Sequence, residues 1–389
     1  YLASGVSSGR LRAVHVDDQV NKQDVVMICV GTPSDKNGTV DMTYVQSAID
    51  WFFENTDNLI GDYGVLVLKS TCPPGTTHKL IHEQIEARGL SGRVSSAFNP
   101  EFLREGSAIW DTENPDRVVL GTYDEKTGMF LKEMYTECLN NSPTYVNMKP
   151  TSAEFCKYVS NCFLATKISF ANEIANLVEK IPEADIDEVF EGVGLDARIS
   201  PKFFGAGVGF GGSCFPKDTI GLVRYAEEEL GVGMQILRAT LDVNAGRPQH
   251  IIDLLMDCID TVNNRKIAVL GLAFKPGTDD TRESPSFKVI DLLNKIGADV
   301  WVHDPLSSKM DLMESQSKIT IADSVEDCVK DSYACILITE WGDYTNLGVE
   351  TLTRLMKQKI FIDGRRVFAR SSIPDDVIYK TIGTQTMCE

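Results

Sequence analysis

KIAVLGLAFKPGTDDTRESPSFKVIDLLNKIGADVWVHDP, residues 266–305, sets the fold class. It opens with a short apolar run, passes through a glycine turn into a helical stretch, and returns in a second strand that ends at Asp304. Strand, glycine turn, helix and strand make a βαβ unit of the nucleotide-binding kind. ACILITE (334–340) and KIFIDGRR (359–366) supply further strands of the same domain. Upstream, GVGFGGSCFPKD (207–218) lies in a mostly helical middle, with helical patterns over 217–230 and 233–260. A longer helix of about thirty residues, reaching Lys180, opens at Thr151-Ser-Ala-Glu154, which fits the S/T-x-x-E capping box. Before it comes a hydrophilic segment near 140–150. Further upstream, DVVMICV (24–30) and GVLVLKS (64–70) alternate with helical patterns over 43–55 and 76–88, as in a parallel α/β sheet. The expected fold is α/β, with two Rossmann-like parallel-sheet domains joined by a helical middle domain built on a long central helix. The expected boundaries are 1–150, 151–261 and 262–389.

The chain has 389 residues, of which 43% are apolar, enough for two or three packed cores. With 38 Lys+Arg against 56 Asp+Glu the net charge is −18, which opposes binding to nucleic acid or an anionic membrane. No apolar run approaches the ~18 residues of a spanning helix. Ten cysteines with no C-x-x-C pair read as reduced thiols of a cytoplasmic protein. The opening residues are not a signal peptide, and the natural start is expected to lie upstream.

The glycine-rich stretch is the densest chemical signal. Gly207, Gly209 and Gly212 satisfy G-x-G-x-x-G but follow KFFGA instead of a strand, so the dinucleotide reading fails its context. Tightly spaced glycines let a backbone approach a ligand closely, and they deliver Cys214 ahead of Pro216, Lys217 and Asp218. A cysteine at a helix N-terminus beside a lysine suits nucleophilic catalysis; the other reading is a buried structural thiol. In NPEFLREG (99–106), Glu101 and Glu105 flank Phe102 and Leu103, as proton-transfer groups or as glutamates on a surface helical turn. Lys157 and Asn161 share one face of the long helix, where an exposed ladder is the default. VGTPS (30–34) and KSTCPPGT (69–76) directly follow strands, where α/β domains bind ligands. His78 and His82 have metal-ligand spacing but no third ligand nearby, so no metal is expected. The other three histidines stand alone, which argues against a Cys-His relay.

Seven motifs in order, VGTPSDKNG, KSTCPPGT, NPEFLREGSAIWD, NPDRVVLG, CKYVSN, GVGFGGSCFPKD and GLAFKPGTDDTRESPS, resemble the UDP-glucose/GDP-mannose dehydrogenase family, its members acting on UDP-glucose most closely. The resemblance implies a four-electron oxidation of the sugar C6 alcohol to a carboxylate with two NAD+. UDP-N-acetylmannosamine or GDP-mannose is the alternative substrate, and an inactive nucleotide-sugar-binding homologue the alternative function. By resemblance, Cys214 captures the aldehyde as a thiohemiacetal that becomes a thioester, Glu101 is the acid/base and Lys157 stabilises the oxyanion. Asn161 and Asp218 position water and the reacting oxygen. Thr71 and Glu105 form a relay beside the nicotinamide. NAD contacts are implied for Val30, Gly31, Thr32, Pro33, Ser70, Thr71, Glu105, Lys217 and Arg282. UDP-sugar contacts are implied for Phe102, Leu103, Arg104, Lys157, Asn161, Phe203, Gly205, Gly209, Phe210, Gly211, Phe274, Lys275 and Arg365. Arg198 matches an arginine that reaches a neighbouring subunit's site, implying a homodimer or larger homo-oligomer.

One departure stands out. Nothing before Val25 supplies the family's opening G-x-G-x-x-G turn, whose helix N-terminus holds the NAD pyrophosphate. About sixty residues are absent by family comparison, so the chain is expected to bind NAD poorly and to be inactive, with its UDP-sugar half competent.

Overall fold

The computed structural model describes residues 1–15, 18, 20–34, 38–306 and 318–385. The chain divides into two compact units. Tyr1–Asp35, Val40–Leu103 and Ala108–Lys157 form the first; Lys36–Thr39, Arg104–Ser107 and Tyr158–Glu389 form the second.

In the first unit β1 (Gln23–Ile28), β2 (Ile60–Leu68), β3 (Val94–Phe98), β4 (Arg117–Thr122) and β5 (Thr144–Met148) lie side by side in chain order. Every neighbouring pair is parallel except β3 with β4. Alternation along β2 explains why both faces are covered. Leu66 and Leu68 pack with Ile49 and Phe52 of α1 (Thr43–Leu59), while Val65 and Val67 join Leu131 of α2 (Glu125–Cys138). A strand buried on both faces reads as a continuous apolar run, which is how GVLVL appears. The expected hydrophilic segment near 140–150 contains β5 instead; at the sheet edge its residues are only partly covered, so polar positions persist.

The second unit holds β6 (Lys266–Leu270), β7 (Asp299–His303), β8 (Thr320–Ile321), β9 (Ala334–Leu337), β10 (Ile360–Asp363) and β11 (Ile378–Thr381). Their spatial order is β11-β10-β9-β6-β7-β8, all parallel. The first strand is central and the order reverses beside it, the doubly wound arrangement of nucleotide-binding sheets. Helices α3 (Pro150–Val178), α4 (Ile186–Gly194), α5 (Phe215–Arg224) and α6 (Gln235–Met256) precede this sheet. Ala171 and Ala175 of α3, Phe190 of α4 and Ile251 and Leu255 of α6 share a core with Ile267 and Val269 of β6 and with Val289 and Leu293 of α7 (Pro285–Lys295). The helical middle and the last sheet are thus packed as one body.

The turn after β6 is held by Asp304, whose Oδ2 accepts from Leu272 N and Ala273 N at 2.7 and 3.0 Å. One local expectation changes. The long helix has the expected length, 29 residues, but no capping box. It starts at Pro150, whose fixed φ suits a first helical position. Glu154 is fully buried and turns to another loop: it accepts from Gly75 N (2.5 Å), Thr77 N (2.7 Å) and Thr77 Oγ1 (2.6 Å). Three donors in a dry interior hold the carboxylate more firmly than one solvated amide at its own helix end. Burial still leaves the Glu154 carboxyl raised above its usual range, against the pull of the Thr77, Gly75 and Cys72 donors. Among the described residues no helix is long and apolar enough to cross a membrane, and the nine described cysteines are free thiols.

Candidate active site

Three loops leave the carboxyl ends of neighbouring parallel strands in the first unit. The loop after β1 carries Val30, Gly31, Thr32 and Pro33, the loop after β2 carries Ser70 and Thr71, and the loop after β3 carries Glu101, Phe102 and Leu103. They are stitched together. Lys69 and Ser70 donate their N–H groups to Ile28 O at 2.9 and 3.3 Å, and Ser70 Oγ donates to Val30 O at 2.6 Å. Gly31 is exposed, with no heavy atom within 4 Å of the point a Cβ would occupy. A braced, open strand-end platform fits an extended dinucleotide such as NAD. Asp35 to Asn37 of the VGTPSDKNG motif lie outside the described residues.

Beyond β3, Glu101 faces Lys157 at 2.8 Å. Neither matches its default reading. Residues 101–107 are irregular, with the next helix starting at Ala108, so Glu101 and Glu105 do not share a surface helical turn. Lys157 is 3% exposed and Asn161 is 7%, not an exposed ladder. Burial pushes the Glu101 carboxyl up, but the Lys157 ammonium, the Leu103 N–H and Lys69 outweigh it and hold it below the usual range. Phe102 stacks under the Arg117 guanidinium, 3.8 Å from its ring centroid, with Lys157 Nζ at 5.6 Å. Lys69, within KSTCPPGT, is a further residue of this site that the motif by itself does not single out. Lys69 is mostly buried, donates to Asn99 Oδ1 at 2.6 Å, and burial lowers its pKa. Tyr135 also donates to Asn99 Oδ1, so the root of the Glu101 loop is pinned by two side chains. The clue was a lysine directly after an apolar strand.

In the second unit Cys214 is the N-cap of α5, with Pro216 in the first turn, and the residue is exposed. The buried-thiol reading therefore fails at Cys214. The helix N-terminus and Arg282, which interacts electrostatically with Cys214, both set positive potential at the sulfur. Asp218 is 1% exposed and paired at both oxygens: Lys217 Nζ reaches Oδ1 at 2.8 Å and Asn161 Nδ2 reaches Oδ2 at 2.6 Å. Asp218 N donates back to Cys214 O at 2.8 Å, which ties this cluster to the cysteine by one helical turn. Arg365 and Arg282 reach the glycine stretch, while Lys275 and Thr278 reach Glu105. Arg365 donates to Ile338 O (2.6 Å), Gly209 O (3.4 Å) and Phe274 O (3.4 Å). Lys275 Nζ donates to Glu105 O at 2.5 Å, and Thr278 Oγ1 donates to Glu105 Oε1 at 2.5 Å. Arg282 is held by Asp280 at 2.7 Å, and its carbonyl accepts from Gly212 N at 2.9 Å.

Glycine at 211 is required by the chain's own backbone: an added Cβ would stand 2.3 Å from Glu283 O. Gly205 has open space around it. Phe203 and Phe210 both lie near Phe215, with ring centroids 6.2 and 6.0 Å away. Arg104 and Leu103 are exposed. Arg198 is not brought to these residues; its exposed guanidinium pairs with Asp196 at 2.6 Å. His78 and His82 do not converge on a metal cluster among the described residues; His78 stacks on His82 at 5.6 Å, and His82 on Tyr123 at 3.9 Å.

Models of the UDP-glucose/GDP-mannose dehydrogenase family match the chain in three parts: the NAD binding domain over residues 1–139, the central domain over 151–246 and the UDP binding domain over 268–370. The UDP-glucose 6-dehydrogenase TuaD of Bacillus subtilis is 38% identical over 371 residues, 95% of this chain and 78% of that protein. The chain belongs to the UDP-glucose/GDP-mannose dehydrogenase family. Its fold agrees with that of a UDP-glucose dehydrogenase from Pyrobaculum islandicum, with a TM-score of 0.87 and 39% identity over 98% of this chain and 85% of the other. A UDP-D-ManNAc dehydrogenase from Pyrococcus horikoshii has a TM-score of 0.84 at 26% identity, over 98% of this chain and 86% of the other. As a family member the chain is an NAD-dependent nucleotide-sugar dehydrogenase with an NAD binding domain. That match over residues 1–139 gives no support to the expectation of an inactive fragment.

Proposed function

We propose that this dehydrogenase oxidises UDP-glucose to UDP-glucuronate in two steps through a covalent intermediate on Cys214. The observation that carries the reading is an exposed cysteine at a helix N-terminus, backbone-linked to a buried Lys217–Asp218–Asn161 cluster. Bound NAD would accept the hydride in each oxidation, held by Val30–Pro33, Ser70, Thr71, Lys217 and Arg282. The chain's own residues do the rest. The Cys214 sulfur adds to the C6 aldehyde, giving a thiohemiacetal whose oxidation yields a thioester; water then cleaves the C–S bond, releasing the carboxylate and restoring the thiol. Glu101, ionised beside Lys157, takes the proton of the attacking water. Lys157 offsets charge on the oxyanion, and Asn161 and Asp218 orient the water. Thr71 and Glu105 relay protons near the nicotinamide. Phe274, Lys275, Arg365 and the loop from Gly205 to Gly211 receive the UDP-sugar, with Phe102, Leu103 and Arg104. An arginine fork suits the two oxygens of a phosphate.

UDP-glucose is favoured over UDP-N-acetylmannosamine because the relatives named for glucose are 38–39% identical, against 26% for the mannosamine enzyme. The test is NADH formed per mole of limiting UDP-glucose, with other sugar nucleotides run in parallel. Two NADH per UDP-glucose is expected. One would exclude the thioester route, and two from a different sugar nucleotide alone would overturn the substrate.

We also propose a homodimer or larger assembly. Val159, Phe163, Phe170 and Leu177 are 45%, 63%, 49% and 58% exposed, and their spacing sets them on one stripe of α3. Light scattering is expected to give at least twice the 43.0 kDa chain mass, and a monomer at micromolar concentration would sink the idea.

A further inference from the structure

The stretch from Gly207 to Gly212 has no regular structure, yet it lies inside the second unit with Val208 fully buried. Its backbone groups therefore need partners from elsewhere. Two helices supply them. On α6, Asn244 binds Phe210 at both ends: Phe210 N donates to Asn244 Oδ1 at 2.8 Å, and Asn244 Nδ2 donates to Phe210 O at 3.0 Å. One turn later Arg247 Nε donates to Gly207 O at 3.0 Å, while its Nη1 donates to Asn176 Oδ1 of α3 at 2.5 Å. From α3, Asn172 Oδ1 accepts from Gly207 N at 2.8 Å. Val208 N and Gly212 N are held separately, by Gly364 O at 3.1 Å and Arg282 O at 2.9 Å.

The side chains committed to this loop are unusual. Arg247 is 1% exposed, and burial lowers its pKa to about 10 against the opposing charge of Glu179. Asn172 is fully buried. A buried guanidinium and a buried amide are costly to place, so their use on one irregular loop marks its conformation as important. Asn244 is the sharpest element. It copies the paired donor and acceptor of a β-ladder onto Phe210, four positions before Cys214. It also approaches so closely that a Cβ on Gly209, at φ +97°, would stand 2.5 Å from its Oδ1.

We propose that Asn244 is a positioning residue for the sugar-nucleotide site: by fixing both polar groups of Phe210 it sets the loop that receives the UDP-sugar and leads into Cys214. This deepens the function proposed above and rests on its assignment of that loop to substrate. Asn244→Asp keeps the acceptor for Phe210 N–H and loses the donor to Phe210 O; Asn244→Ala loses both. The expected order is graded: KM for UDP-glucose rises about threefold in Asn244→Asp and about tenfold in Asn244→Ala, with kcat changed less than KM. Affinity for UDP alone, measured by calorimetry without turnover, is expected to fall in the same order. Exchange of the Phe210 amide with solvent deuterium is expected to accelerate in Asn244→Ala and little in Asn244→Asp.

A purely structural asparagine would lower the melting temperature and reduce kcat without ordering the UDP affinities, and that outcome overturns the proposal. Unchanged UDP binding and unchanged Phe210 exchange in Asn244→Ala would overturn it equally. Should Asn244→Ala fail to fold, Asn244→Asp with an unaltered KM does the same. If the wild-type protein binds UDP but does not oxidise UDP-glucose, the substrate assignment fails, while the calorimetric and exchange results still decide the role of Asn244.

Discussion

Cys214→Ser is expected to abolish acid formation from UDP-glucose, with at least about a thousandfold loss in the rate of glucuronate formation. The physical reason is that a hydroxyl, unlike a thiol, needs a base beside it in order to attack. A serine needs a partner that removes its proton as it attacks, and neither described histidine of the second unit partners Cys214: His250 is taken by Glu179 at 2.9 Å and His303 by Tyr344 at 2.9 Å. Cysteine is intrinsically far more nucleophilic than serine and attacks without such help, and Cys214 is exposed at the N-terminus of α5. The serine of the variant would sit in the same place as a neutral, weakly nucleophilic alcohol. The check is a time course of NADH together with mass spectrometry of the product. Undiminished glucuronate formation by the variant would eliminate the covalent route, whereas release of aldehyde alone would support it.

Lys157→Met is expected to lower kcat by about 10²–10³, the scale seen when one donor to a developing oxyanion is removed. It is also expected to cost about 3 kcal/mol of stability, because Glu101 keeps its burial and loses its main partner. The pH dependence separates this from simple misfolding. In the wild-type fold the Glu101 carboxyl is held below its ordinary value, so its contribution to stability is present above that ordinary value and is lost as the pH falls through the depressed one. In Lys157→Met burial remains while the chief attraction is gone, so the group titrates higher. The acid limb of the pH–rate profile should therefore move to higher pH, and the acid unfolding midpoint with it. A profile that keeps its acid limb would mean that the Lys157–Glu101 pair does not govern the titration.

These two residues also show where sequence reasoning stops. Cys214 was legible because its setting is local: glycines before it, Pro216 and Lys217 after it, and a helix that must begin there. Lys157 was legible only as one face of a helix, and a polar face looks the same whether it meets water or a buried partner. What buries it is remote in the chain. Lys157 meets Glu101 across 56 residues, Asn161 meets Asp218 across 57, and Glu154 meets Thr77 across 77. Glu154 looks like a cap in sequence for the same reason, since the capping pattern is satisfied within four residues and nothing nearby signals the three donors that claim its carboxylate. Asn99, Tyr135, Asn244 and Arg247 carry no local signal strong enough to single them out, and Lys69 only its place directly after an apolar strand.

Local sequence was enough to specify the two nucleotide-binding sheets, the long helix between them and the inventory of reactive groups. Strand, turn and helix preferences act over a few residues, and the apolar runs of β2 and β6 can be satisfied only by strands covered on both faces. Long-range packing settled which charges are buried, which loop each buried group holds, and that glycines of the 207–212 stretch make room for the protein's own atoms, backbone at Gly207 and Gly211 and side chains at Gly209 and Gly212. Those outcomes depend on contacts between segments far apart in the chain, where desolvation and the count of available donors, not local propensity, set the energy.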